Sequence, residues 1–206
     1  GYHFVAEVEL VDATSAMATA AAFVDGASTG TAAGERSAGF ATAAAVSSDG
    51  DGERAWPFVG RYEQVDEVLA VVADLAAGGV LLSGTSGAGT SRLLAECLRH
   101  CAADGHAVAS TSGMASAASI PLAALAPFLP ADVLSFDGAP PDLARGVVFR
   151  RAQAALESLA PAQGRLVLAI DDADQLDELS EAVIASLVVA DRLCVLAGHR
   201  PSTRPR

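Results

Sequence analysis

Lysine does not occur in this chain. All 13 of its Lys+Arg residues are arginine, set against 25 Asp and Glu, which leaves a formal charge of −12 and a pI near 4.5. An acid surplus of that size argues against a chain that holds DNA by its phosphates. Residues 1 to 55 contain eight acids and two arginines, so half of the excess lies there, and no basic helix-turn-helix is visible in the remainder. Long apolar runs are missing too. Although 51% of the residues are hydrophobic, no stretch approaches the roughly 18 uninterrupted apolar residues of a membrane span, and Asp74 interrupts the best candidate. The chain begins at Gly1 without a basic n-region, so no secretory signal is visible and a cytoplasmic location is expected. The missing start methionine suggests a fragment or a processed chain. Cys97, Cys101 and Cys194 are an odd three and indicate no disulfide framework. Cys97 and Cys101 are helical neighbours near His100 and His106, a pattern better explained by small buried thiols than by a metal site. No Gly-x-Ser-x-Gly surrounds any serine.

What is present is a glycine-rich turn at a telling place. Residues 78 to 92 run Gly-Gly-Val-Leu-Leu-Ser-Gly-Thr-Ser-Gly-Ala-Gly-Thr-Ser-Arg, a short apolar strand leading into a turn and then a helix. The phosphate-binding P-loop is written G-x-x-x-x-G-K-[ST]. Gly84, Gly89 and Ser91 fall in register, and the lysine position holds Thr90. Gly84, Gly87 and Gly89 permit backbone angles that let the N–H groups of the loop, Thr85, Ser86 and Ala88 included, form an anion-binding concavity. The helix that starts near Thr90 adds unpaired N–H groups and the positive end of its dipole. Ser91 would offer its hydroxyl to Mg2+ bridging the outer phosphates of ATP. Loss of the lysine removes a charge-assisted contact of roughly 1.5 to 3 kcal/mol, about one to two orders of magnitude in binding. Hydrolysis suffers more, because it depends on charge stabilisation in the transition state. Arg92 is no substitute: two residues beyond Thr90 it lies about 200° around the helix.

A second segment strengthens this reading. Residues 165 to 174, Arg-Leu-Val-Leu-Ala-Ile-Asp-Asp-Ala-Asp, form an apolar run of strand length that ends in acids, as in a Walker B strand. Asp171 would hold the magnesium and Asp172 would orient or deprotonate the attacking water. The plainer alternative is a buried strand followed by an acidic helix cap. Residues 192 to 200, Arg-Leu-Cys-Val-Leu-Ala-Gly-His-Arg, form a third short strand. Ligands of open α/β sheets bind at the carboxyl ends of the strands, which would bring Arg200 near Asp171, where it could sense a terminal phosphate.

Between these motifs the pattern alternates. Val65, Val68, Leu69, Val72 and Leu75 give a helix over 61–77. Further helices are expected at about 91–103, 142–160 and 177–190, with a strand at 106–111 and a Pro-broken apolar stretch at 120–136. Strands alternating with helices predict an α/β fold with a parallel sheet covered on both faces. Residues 26 to 52 are almost all Gly, Ala, Ser, Thr and acid, a composition too poor in large apolar side chains to order itself. The domain is therefore placed at 56–206, after a low-complexity segment at 1–55 in which residues 3 to 11 alternate as a short strand would.

Taken together, Phe58-Val59-Gly60-Arg61, the loop at 84–91, Ile120-Pro121-Leu122 with Leu125-Ala126-Pro127, Asp171-Asp172-Ala173-Asp174 with Leu176-Asp177, and Arg200 resemble the ATPase module of large LuxR-type transcriptional regulators. These belong to the STAND branch of AAA+ and related P-loop NTPases. The resemblance covers about residues 57 to 200. It implies that Gly60 and Arg61 lie near the nucleotide base, that residues 84–91 bind phosphates, that the paired acids handle magnesium and water, and that Arg200 is a sensor. Thr90 in place of lysine, and Gly198-His199 where a threonine-like residue usually precedes the arginine, depart from the family pattern and bear on hydrolysis more than on fold. The resemblance also implies a fifth strand beside the phosphate-loop strand and a helical lid, both beyond Arg206. The core would then be incomplete, with Val80–Ser83 an exposed apolar edge open to aggregation, self-association or a protein partner; the segment at 3 to 11 could cover it, but nothing in the sequence requires that.

Three functions follow: a regulatory ATP-binding switch with weak or absent hydrolysis, a nucleotide-free scaffold, and an oxidoreductase. The last fails on two counts. The glycine spacing is one residue short of the short-chain dehydrogenase turn, and that family's Tyr-x-x-x-Lys pair is impossible without lysine. No membrane association and no direct DNA contact by this chain are expected.

Overall fold

The computed structural model describes residues 6–11, 58–74, 77–133, 141–162 and 164–200. Five strands, β1 (Ala6–Val11), β2 (Gly79–Gly84), β3 (Ala107–Ser112), β4 (Leu166–Asp171) and β5 (Leu193–His199), form one sheet in the order β1-β2-β5-β4-β3. Four helices accompany them: α1 (Tyr62–Ala73), α2 (Thr90–Ala103), α3 (Pro141–Glu157) and α4 (Glu178–Val189). β2, β5, β4 and β3 run parallel, and β1 joins β2 antiparallel. The fold is an α/β P-loop NTPase-like sandwich, as the alternation of motifs predicts.

The strand sequences show why both faces must be covered. In β4, Leu166, Leu168 and Ile170 pack with α3, α4 and residues 122–133, while Val167 and Ala169 face the opposite way toward α1 and α2. β5 divides in the same manner, Leu193 to the first face and Cys194 and Leu196 to the second. With every residue from 165 to 170 buried, this strand has no solvent face, which is the signature of a parallel sheet rather than a half-exposed antiparallel one. Helix α2 buries Leu93, Leu94, Cys97, Leu98 and Cys101, one stripe at i, i+4 spacing. All three cysteines are buried and free, as expected. Burial pushes the Cys97 thiol up to about 12 and the Cys101 thiol to about 11, so both stay neutral at physiological pH. Among the described residues no group of His, Cys, Asp and Glu could hold a metal as a cluster, and no helix is long and apolar enough to cross a membrane.

Two expectations need correction. The edge of β2 is not open, because β1 lies along its whole length with Val8 opposite Leu82, Leu10 opposite Val80 and Val11 opposite Gly79. The alternating segment near the N-terminus thus supplies the backbone partners that β2 would otherwise lack. Helix α1 is also shorter than its apolar pattern suggests: it stops at Ala73, with Asp74 already extended at φ −80°, ψ 109°. Leu75 and residues 26–52 lie outside the described residues.

The reason for that stop lies some 90 residues away in sequence. Arg165, whose side chain is 6% exposed, donates from Nη1 to Ala77 O at 2.7 Å and from Nη2 to Asp74 O at 3.0 Å and Val72 O at 3.2 Å. Its guanidinium satisfies the carbonyls at the end of α1 and complements the negative end of the helix dipole. Asp191 stands 3.5 Å from Nη1 as the counter-charge. This cluster sits where the parallel strands begin, opposite the end where they finish.

Candidate functional site

At the carboxyl ends of β2, β4 and β5 a groove of about 220 Å³ is lined by Gly84, Thr85, Ser86, Gly87, Ala88, Gly89, Thr90 and Ser91 on one side and by Asp171, Asp172, Gly198, His199 and Arg200 on the other. Residues nearly 90 positions apart in sequence therefore meet because β5 lies between β2 and β4. The loop turns as its glycines require, with Gly87 at φ 81° and Gly89, the N-cap of α2, at φ 79°. Ser91 is exposed in the first turn of α2, and Thr90 is half-buried.

Thr90 is in close quarters. Its methyl carbon and Oδ1 of Asp171 lie 3.3 and 3.2 Å from where a Cβ on Gly198 would stand. Leu94 Cδ1 is closer still at 2.9 Å, so a side chain at 198 would have to displace the tip of Leu94. Asp171, half-buried at the end of β4, accepts the Asp172 N–H at 3.1 Å, and its own carbonyl accepts from Gly113 N at 2.8 Å. Asp171 and Ser91 both line this groove. Hard oxygen donors of this kind, few in number and open to further ligands, suit Mg2+, which keeps several waters and shares phosphate oxygens.

The next residue behaves differently. Asp172 stands at φ 49°, ψ 49°, in the left-handed region that Asp adopts more readily than most residues other than glycine. Its carboxylate is gripped by Arg200 on two sides, Nε to Oδ1 at 2.7 Å and Nη2 to Oδ2 at 2.8 Å. Beside this pair His199 Nδ1 is 3.6 Å from Asp174 Oδ1. The end of β5 is thus tied to the turn after β4 by two neighbouring contacts.

Gly60 and Arg61 stand beside the loop. They do not line the groove. Gly60 and Arg61 both have positive φ, 79° and 58°, and Arg61 reaches back over the loop so that its guanidinium donates to the carbonyls of Ala88 and Gly89, the latter at 3.5 Å. The side chain braces the outside of the phosphate loop, because the carbonyls of a loop whose N–H groups turn inward point outward.

Two residues that support this end were not singled out by their chemistry. Asp177, 3% exposed, caps α4 through Ser180 N at 2.9 Å and Ser180 Oγ at 2.6 Å, and also accepts from Leu122 N at 2.8 Å. It fixes Leu122 at φ 61°, a strained setting for leucine, within the Ile120-Pro121-Leu122 turn. Thr111 on β3 donates its hydroxyl to Ala124 O. An acid one residue before a helix is a recognisable N-cap signal, but its second grip on a turn 55 residues upstream is not. Ala123 and Ala124, just after the turn, help to wall a larger, mostly apolar cleft of about 490 Å³ that shares Ser91 and Asp171 with the groove and includes Leu94, Leu98, Met114 and Pro127.

Residues 57–196 match the family model of the AAA ATPase domain. Searches among curated proteins and solved structures return no match to the chain. The matched span takes in the loop and both acids of β4, and ends just before the Gly198-His199-Arg200 wall of the groove. With two thirds of its length covered and its motifs gathered at one end of a parallel sheet, the chain belongs to the AAA ATPase domain family.

Proposed function

We propose that this chain is an ATP-binding regulatory module of a LuxR-type transcriptional regulator of the STAND kind, in which hydrolysis is weak or absent. The observation that carries the reading is the meeting of Ser91 and Asp171 in one groove with the glycine loop. In the reading, the loop amides from Thr85 to Thr90 hold the phosphates, while Ser91 and Asp171 hold the magnesium. Asp172 faces the attacking water and Arg200 the terminal phosphate. Thr90 leaves the groove without the cation that stabilises charge in phosphoryl transfer, which favours binding over turnover. The acid balance assigns DNA binding to some other part of the regulator, and the module works in the cytoplasm.

A nucleotide-free scaffold is the second reading. It is favoured by the absence of lysine from the whole chain and by the engagement of Arg200, the groove's arginine, with Asp172. Calorimetric titration with ATP in the presence of magnesium separates the two. Saturable binding supports the switch. Flat titration of folded protein, with no binding restored by Thr90→Lys, supports the scaffold.

A further inference from the structure

The cleft of about 490 Å³ beside the groove has no part in the nucleotide reading. Its origin lies in side-chain size. Helix α2 presents Leu94 and Leu98 to the sheet one turn apart, and on the same sheet face Val80, Leu82, Val167 and Leu196 fill the space beneath the helices. At the β3 edge that filling stops. Ser110 stands opposite Ala169 and Ser112 opposite Asp171, and cross-strand partners share a face, so α2 meets only small side chains there.

The far wall is set in advance. The Thr111 hydroxyl holds Ala124 O, and Asp177 accepts from Leu122 N at 2.8 Å and from Ala124 N at 3.5 Å, so the segment that walls the cleft is fixed before any ligand arrives. Met114, 54% exposed, adds an adaptable apolar contact. Small-molecule sites are commonly concavities of roughly 300 to 1,000 Å³, mostly apolar with a few polar groups at one place, and this cleft has that character.

Charge selects the occupant. Asp171 is the one charged residue lining the cleft, and Ser91, Ser110 and Ser112 add hydroxyls beside it. Among the described residues the Asp171 carboxylate accepts only the Asp172 N–H, on Oδ1 at 3.1 Å, which leaves Oδ2 without a protein donor. An anion would be repelled, and a neutral ligand would displace water from the carboxylate without replacing its charge-assisted bonds. A cation supplies them. We propose that the cleft binds a small molecule with an apolar body and one protonated amine, whose ammonium group takes Asp171 and competes there with magnesium. The binding itself needs no nucleotide; the competition rests on the nucleotide-binding reading above. Because coupling between sites is reciprocal, such an amine and Mg–ATP weaken one another by the same factor.

The test is calorimetry on the full chain with tryptamine, tryptophol and indole-3-acetate, which share an indole body and differ in the charge of the end group. Tryptamine should bind saturably and about tenfold more tightly than tryptophol, with indole-3-acetate weakest. Ser110→Leu and Ala95→Leu fill the cleft from opposite walls at exposed positions outside the phosphate groove. Each should weaken tryptamine by about tenfold or more and change Mg–ATP affinity by less than about twofold, with circular dichroism verifying the fold. Saturating Mg–ATP should weaken tryptamine by about tenfold in the unaltered chain. No tryptamine binding, equal affinity for the three probes, or tryptamine affinity left intact by either leucine variant would overturn the site. Binding in the expected order that ignores Mg–ATP would overturn the competition and keep the site. If tryptamine binds and Mg–ATP does not, the nucleotide reading falls and the competition with it, while the amine site stands.

Discussion

Two arginines stand at opposite ends of the same sheet, and their surroundings set their work apart. Arg165, where the parallel strands begin, is buried and spends its guanidinium on three backbone carbonyls and Asp191. Arg200, where they finish, is more than half exposed and meets a single carboxylate. Carbonyls of a helix end have no alternative donor once buried, so Arg165 is fixed in place. Arg200 and Asp172 both reach solvent, so their pair is held less firmly. The comparison teaches that the two ends of the sheet hold their arginines with different firmness.

Removing the buried arginine should show the largest effect. Arg165→Ala leaves the carbonyls of Val72, Asp74 and Ala77 without their donor and is expected to lower folding stability by about 2 to 4 kcal/mol, read from urea denaturation. A loss below about 1 kcal/mol would mean that water replaces the guanidinium and that this end is not a fixed strut. Asp177→Ala should come next, at about 2 kcal/mol, since it removes a helix cap and leaves the buried Leu122 N–H unpaired. Shifted backbone signals confined to α4 and residues 120–125 would confirm the double grip; shifts in α4 alone would refute it.

At the Arg200 end the expected changes are in binding. Thr90→Lys supplies the cation that the loop lacks, and ATP should bind roughly tenfold more tightly, equivalent to about 1.4 kcal/mol. Unchanged affinity in folded protein would show that the groove near Gly198 is too tight to admit the side chain productively. Arg200→Gln should move folding stability by less than about 0.5 kcal/mol in the same denaturation experiment that reveals Arg165. A loss as large as that of Arg165→Ala would abolish the distinction between the two ends.

The sequence makes one half of this contrast visible. The apolar runs at 79–84, 166–171 and 193–199 announce buried parallel strands, and a glycine loop paired with a strand ending in acids announces a phosphate groove, because both signals are local. The end of α1 is not local. Val72 and Leu75 continue its apolar stripe, and only the guanidinium of Arg165, some 90 residues on, marks where the helix gives way. Arg61 illustrates a related limit. Its place in the motif suggests the nucleotide, and nothing local announces the hydrogen bonds that it also makes to the loop carbonyls of Ala88 and Gly89. The cover over the β2 edge had a candidate in the alternation at residues 3 to 11, but pairing depends on backbone groups that every residue carries, so composition could not specify it.

The central claim is that Ser91 and Asp171 meet in one groove in order to hold a magnesium–nucleotide complex. Calorimetric titration of ATP with and without magnesium, on the unaltered chain and on Asp171→Ala, addresses it directly. The account predicts binding that magnesium strengthens in the unaltered chain and leaves unchanged in Asp171→Ala. The same magnesium dependence in both proteins, or no binding to the unaltered chain, would contradict it.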